Sequence, residues 1–241
     1  VIRHLSFANL RNFRDAGGYA AYDGRTVKWQ RLYRADNLGF LTGADLEAFH
    51  ALKIRTVIDL RHDFEVDKSG RAPETEGLRY LNLPIEGRRW NAHERYEPGS
   101  SIARFFSDRY LECTEDRADN IRLALEAIAE DGPVVVHCAA GKDRTGIVTA
   151  LALSLAGVSD EDIIADYALT GLATEHFIAD HLARTPYVTM WPGFGQAPAD
   201  AMRFFLAGLA ERHGSVAGYC TDVAGLSADA VEKLRISLTE G

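Results

Sequence analysis

The chain has 241 residues, 46% hydrophobic and 26% charged, which suits one domain with a real core and argues against a disordered chain. Its net charge of −8 argues against a general nucleic-acid or polyanion binder, so any anion site must be local. Val1 to Leu10 lacks the apolar stretch of a signal peptide, and the longest apolar run, 146–158, is too short for an integral membrane segment.

In chain order, Asp15-Ala16-Gly17-Gly18 marks a turn or a close backbone approach. Asp23-Gly24, between 19–22 and 26–29, predicts an N-terminal β-hairpin, and 31–34 a further short strand. Thr42 followed by Asp45 has the form of a capping box opening a helix through about Leu52. Thr56 to Leu60 suits a buried central strand. Residues 61–77 are charged and irregular, and 79–83 form a strand stopped by Pro84. Residues 87–100 read as a mobile loop; its Arg88, Arg89 and Arg95 make a solvated face that could steer a phosphorylated partner. Helices are predicted over 102–110 and 117–129, the second with Ile121, Leu125 and Ile128 on one face. A strand over 134–137, a tight turn and a helix to about Ala156 follow. Ser159-Asp160-Glu161-Asp162 caps a helix to about Thr170, and another spans 175–184. Residues 185–199, rich in Pro, Gly and aromatics, form a loop near the site, and helices over 201–212 and 227–238 close the chain. The alternation of strand and helix is α/β logic. With no internal repeat and no linker, residues 1–241 read as a single domain.

Cys113, Cys138 and Cys220 are too widely and irregularly spaced for a disulfide framework or a zinc site, and imply a reducing, cytoplasmic setting. Cys138 is different in kind. An apolar strand, Val134 to Val136, runs into His137-Cys138; five residues later come Arg144 and Thr145, and a helix begins. A helix start lowers the pKa of a thiol beside it, because unpaired backbone N–H groups point there. The peptide across Ala139, Ala140, Gly141, Lys142, Asp143 and Arg144 can curl so that its N–H groups converge into an anion cradle. Gly141 permits the turn. Arg144 can grip two oxygens of a phosphate with its rigid fork, and Thr145 can hydrogen-bond the Cys138 sulfur. His137 would fix the loop. The implied chemistry is attack of the thiolate on a phosphate ester, then hydrolysis of a phosphocysteine, with no metal or other cofactor required. A nucleotide-binding loop fits poorly, since Gly141-Lys142 is followed by Asp143. A phosphate-recognition module without turnover and a loop-cysteine sulfurtransferase are the alternatives.

The string from His137 to Thr145 resembles the signature of the cysteine-dependent tyrosine and dual-specificity phosphatases, and its Ala139-to-Gly146 form that of the bacterial tyrosine/serine phosphatases. Residues 12–18, 32–36, 56–61 with Glu65, and 225–235 are similar to that family in the expected order. The resemblance implies a phosphatase fold, a mostly parallel central sheet flanked by helices. It also implies a phosphorylated-protein substrate bearing phosphotyrosine, with phosphoserine, phosphothreonine or phosphoinositide as further substrates; Lys142 would favour multiply charged headgroups. Family members can carry a helical lid, for which 87–110 and 171–199 are the candidate segments. Trp191-Pro192 is followed by Gly193 and lies after the nucleophile, so it is not the acid loop. Two aspartates remain for the general acid: Asp59, at the end of a buried strand, and Asp143, whose proximity favours it. Arg61 and Glu65, four apart, are expected to pair with each other. Arg14, Asp15 and Asp36 are expected to buttress the loop.

Overall fold

The computed structural model describes residues 2–87, 91–185, 187 and 189–241; Arg88 and Arg89 lie outside them. Its centre is a five-stranded sheet built from β1 (Arg14–Asp15), β3 (Leu32–Ala35), β4 (Thr56–Asp59), β5 (Arg79–Asn82) and β6 (Val134–His137). The order is β1-β3-β6-β4-β5, with β1 antiparallel to β3 and every other pair parallel. This is the expected α/β architecture, and β6 lies at its middle.

Alternation along the strands sorts side chains to two faces. Leu32, Ile58, Val134 and Val136 enter the larger core, with α4 (Ile102–Asp116), α5 (Ala118–Ala129), α6 (Asp143–Leu155), α7 (Asp160–Ala168), α9 (Ala199–His213) and α11 (Ala228–Leu238). Tyr33, Val57 and Val135 enter a smaller core with Phe7, Phe13 and Phe49, the last from α1 (Ala44–Ala51). Burial on both faces explains why β4 and β6 read as mostly apolar runs. No helix among the described residues is long and apolar enough to cross a membrane.

Several elements depart from the expectations. The turn at Asp23-Gly24 forms, and 19–22 meets 25–27 through the Ala20–Thr26 bridge and the Ala21–Arg25 and Val27–Tyr19 backbone bonds, but it does not lengthen into a strand. Instead β2 (Thr26–Val27) pairs with β7 (Thr239–Glu240) at the chain's far end. The Thr42–Asp45 capping box does not form, because the Asp45 carboxylate accepts the N–H groups of Ala8 and Asn9 at 2.7 and 2.9 Å. Residues 61–77 are not wholly irregular: α2 (Asp63–Ser69) starts there, capped by Glu65 on the His62 N–H at 3.0 Å. It buries no side chain fully, so it left no apolar periodicity to find. The remaining short helices are α3 (Ala92–Arg95), α8 (Thr174–Arg184) and α10 (Val216–Gly218).

Candidate active site

Cys138 follows β6 directly and is buried at 2% exposure, and α6 begins five residues later at Asp143. The loop between them is tied down by its carbonyl groups. Asn12 Nδ2 donates to the carbonyls of Ala140 and Gly141 at 2.9 and 3.1 Å. Arg34 Nη2 donates to the Gly141 carbonyl at 2.9 Å. Those oxygens are thereby engaged on the side of the loop that faces Asn12 and Arg34. Gly141 has φ of 63°, and a Cβ there would collide with the Ala35 backbone, so no other residue fits.

Behind the loop lies a buried ionic cluster. Asp166 of α7 accepts from Arg34 at 2.6 Å and from Arg14 at 3.3 Å, all three within 1% of full burial. Arg14 also donates to Asn12 Oδ1 and to the Asp166 carbonyl at 2.8 Å. Burial pushes the Asp166 carboxyl up, but Arg14 and then Arg34 outweigh it and hold it at about 2. Arg14 therefore buttresses the loop, acting through Asn12. Asp36 accepts from the N–H groups of Arg11 and Asn12 at 2.8 and 3.2 Å, fixing the segment that carries Asn12. Asp15 does not reach the loop: its carboxylate accepts from Gly17 and Gln30, bracing the turns on either side of β2.

In front of the loop, Arg144 makes a two-pronged pair with Glu65 of α2, at 2.5 and 2.9 Å. Glu86, in the segment after β5, lies 3.7 Å from the same guanidinium. Burial pushes Glu65 up, but Arg144 outweighs it and leaves that carboxyl below its ordinary value. The expected Arg61–Glu65 pair is not made. Arg61 pairs with Asp59 two residues before it, at 2.6 and 2.9 Å, because the strand end turns its guanidinium back onto that carboxylate. Asp59 also accepts from Tyr80 Oη at 2.7 Å. His137 stands opposite Asp59 in register, with Nε2 3.3 Å from Asp59 Oδ2. Burial pushes Asp59 up, yet His137 and Arg61 together hold it well below the usual carboxylate range. A carboxylate so held has no proton to give near neutral pH.

Asp143, in the first turn of α6, accepts from Tyr110 Oη at 2.6 Å. Lys142 is not a solvated rim lysine. Its Nζ donates to the Gln196 carbonyl at 2.7 Å and lies 3.8 Å from the centre of the Phe106 ring; burial pushes its pKa down. Thr145 Oγ1 is buried and makes no hydrogen bond to any described residue, so the expected bond to the Cys138 sulfur is absent from this structure. Trp191 packs on Tyr96, Phe105 and Phe106, which joins the two expected lid segments. Arg95 pairs with Glu112 at 3.0 Å.

Asn12, Arg34, Asp166, Glu86 and Tyr110 join the site beyond the residues that sequence motifs mark. Two left a signal. Arg34 is a charge inside a buried strand, and Asp166 stands three residues from Ile163 on the buried face of α7. Residues 5–240 match the family described as "Tyrosine phosphatase family". A Cupriavidus necator protein assigned by name to the tyrosine-protein phosphatases is 31% identical over 209 residues, covering 82% of this chain and 72% of its own. The tyrosine-protein phosphatase of Nostoc commune is 28% identical, covering 85% and 73%. The triple specificity protein phosphatase PtpB of Mycobacterium tuberculosis is 25% identical, covering 93% and 95%. The chain belongs to the tyrosine phosphatase family of cysteine-dependent protein phosphatases.

Proposed function

We propose that Cys138 carries this activity through a phosphocysteine, with protein phosphotyrosine as the main substrate. The observation that supports this reading is the pinning of the Ala140 and Gly141 carbonyls by Asn12 and Arg34. It leaves the N–H groups of residues 139–144 free to cradle a phosphate before one arrives, so little reorganisation accompanies binding. The Cys138 sulfur attacks phosphorus in line while the N–H groups and Arg144 meet the charge on the transferring group. Glu65 holds both η nitrogens of Arg144 and so fixes the plane of the fork beside the cradle. Asp143 is the general acid for the leaving oxygen and then the base for the water that frees phosphate. Asp59 is not, since His137 and Arg61 keep it ionised; it orders the strand ends instead.

Lys142 adds a second positive charge beside the cradle, which supports phosphoinositide turnover as a further activity. The triple specificity in the name of the mycobacterial relative supports a range that includes phosphoserine and phosphothreonine. The Lys142–Gln196 bond and the Thr174–Gly195 bond support residues 171–199 as the lid. The family match over 5–240 supports a single phosphatase domain across 1–241. A thiol that must stay reduced suits the cytoplasm.

The deciding experiment is rapid-quench kinetics with an aryl phosphate. A stoichiometric burst of phenol, with phosphate on Cys138, is expected in the native protein and absent from Cys138→Ser. Turnover surviving in Cys138→Ser would end this reading. Initial rates on phosphotyrosine, phosphoserine and phosphoinositide rank the substrates.

A further inference from the structure

Two buried phenols beside Asp143 are not used in the steps above. Tyr110 of α4 and Tyr167 of α7 are buried, with their oxygens 2.6 Å apart. Tyr110 Oη lies 2.6 Å from Asp143 Oδ1. A phenol has one proton and an ionised carboxylate only accepts. Tyr110 therefore donates to Asp143, and Tyr167 must donate to Tyr110. Lys142 Nζ comes nearest to Asp143 at the same oxygen, Oδ1, at 3.4 Å, so the shortest approaches of both groups fall on Oδ1. Burial first, and then the Asp143 charge, push both phenols well above the ordinary tyrosine value, so both stay protonated donors. The rings cannot swing away. Phe106 stacks on Tyr110, while Phe205 and Tyr167 meet it edge-on. Gly146 makes room for the second phenol, since a Cβ there would lie 3.0 Å from Tyr167 Cδ2.

We propose that Tyr167 and Tyr110 form a relay that positions the general acid, occupying Oδ1 of Asp143 so that the transferable proton sits on Oδ2. This rests on the reading of Asp143 as the acid. As the S–P bond forms and the P–O bond breaks, the Oδ2 proton passes to the departing oxygen. The Tyr110 bond then strengthens onto the new carboxylate. Tyr110 and Tyr167 are positioning residues, not catalytic ones. The other charged groups around Asp143 are Lys142 and, in the same loop, Cys138 and Arg144; Arg34 acts on Tyr167 from β3. Loss of the donation to Oδ1 removes a bond made more strongly to the ionised than to the protonated form.

The test is the pH dependence of kcat for Tyr110→Phe, Tyr167→Phe and Asp143→Asn, with p-nitrophenyl phosphate as the good leaving group and an alkyl phosphate as the poor one. Tyr110→Phe should move the basic limb up by about one pH unit. It should lower kcat about 10-fold on the alkyl phosphate and under about 2-fold on the nitrophenyl ester. Tyr167→Phe should move the limb the same way by less, and it decides the matter if Tyr110→Phe does not fold. A basic limb that stays in place, or an equal loss on both esters, overturns the relay. Asp143→Asn separates the two failures. If its loss is confined to the alkyl phosphate while the tyrosine variants leave the limb unmoved, only the relay falls. If its loss is equal on both esters, the acid assignment falls and the relay with it.

Discussion

The two sides of the Cys138 loop are held by different means. Behind it, Asn12, Arg14, Arg34 and Asp166 are almost fully buried, and each is bonded to the others or to a loop carbonyl. In front, Arg144 and Lys142 are held by Glu65 and by the Gln196 carbonyl, on segments that border the opening. The back fixes backbone direction and has no part to exchange. The front fixes the direction of two cations beside the loop. Substitutions behind the loop should therefore register as stability, and those in front as rate.

The sharpest break of that division is expected at Asp166. Asp166→Asn strands two buried guanidinium groups and should cost about 3–5 kcal/mol, read as a fall in the urea midpoint. In front, Arg144→Lys keeps the charge and loses the fork. It should lower kcat/KM about 10²–10³-fold with the urea midpoint nearly unchanged. If that variant instead unfolds like Asp166→Asn, the two sides are not distinct. Asn12→Ala frees the Ala140 carbonyl and an Arg14 nitrogen and leaves the Gly141 carbonyl to Arg34 alone, for about 1–3 kcal/mol in stability and a measurable rise in KM. A pH titration sharpens the point further. The Asp166 carboxyl is held at about 2 in the fold against an ordinary value near 4. Its contribution, about 2 kcal/mol, is present above pH ~4 and disappears as pH falls through ~2. Urea midpoints that stay level from pH 4 to pH 2.5 would contradict the buried ionic cluster. The smallest effect is expected for Lys142→Met, under about 10-fold on phosphotyrosine and larger on phosphoinositides, measured as the ratio of the two kcat/KM values.

The division also explains what could be read in the sequence. The strand, thiol and helix start from Val134 to Thr145 are local, and local spacing carries them. β3, β4 and β6 are legible because burial on both faces leaves them short and mostly apolar, whereas β5, partly exposed at the sheet edge, is marked by Pro84 just past its end. The partners of the charged residues were not. Glu65 lies four residues from Arg61 but pairs with Arg144, 79 residues away. Asp59 ends a buried strand where an acid could stand, but His137, Arg61 and Tyr80, all distant or turned back on it, surround its carboxylate. Sequence spacing reports neighbours on one element, whereas these pairings depend on the order of strands across the sheet. The capping pattern at Thr42 likewise gives way to a distant partner, as Asp45 is claimed by the N-terminal segment.

The bonds that hold the loop from behind have a consequence for the order of assembly. Asn12 meets the Gly141 carbonyl across 129 residues, Arg34 meets it across 107, and Arg14 meets Asp166 across 152. Contacts so distant along the chain form late, after the loop-closure entropy has been met. A nascent chain that has passed Cys138 but not Asp166 already carries the thiol, the loop and Arg144, while Arg14 and Arg34 still lack their counter-ion. The nucleophile is thus synthesised before the scaffold that makes it useful. Activity should appear during synthesis only once α7, and the α9 and α11 that share its core, have left the ribosome, as a step rather than a gradual rise.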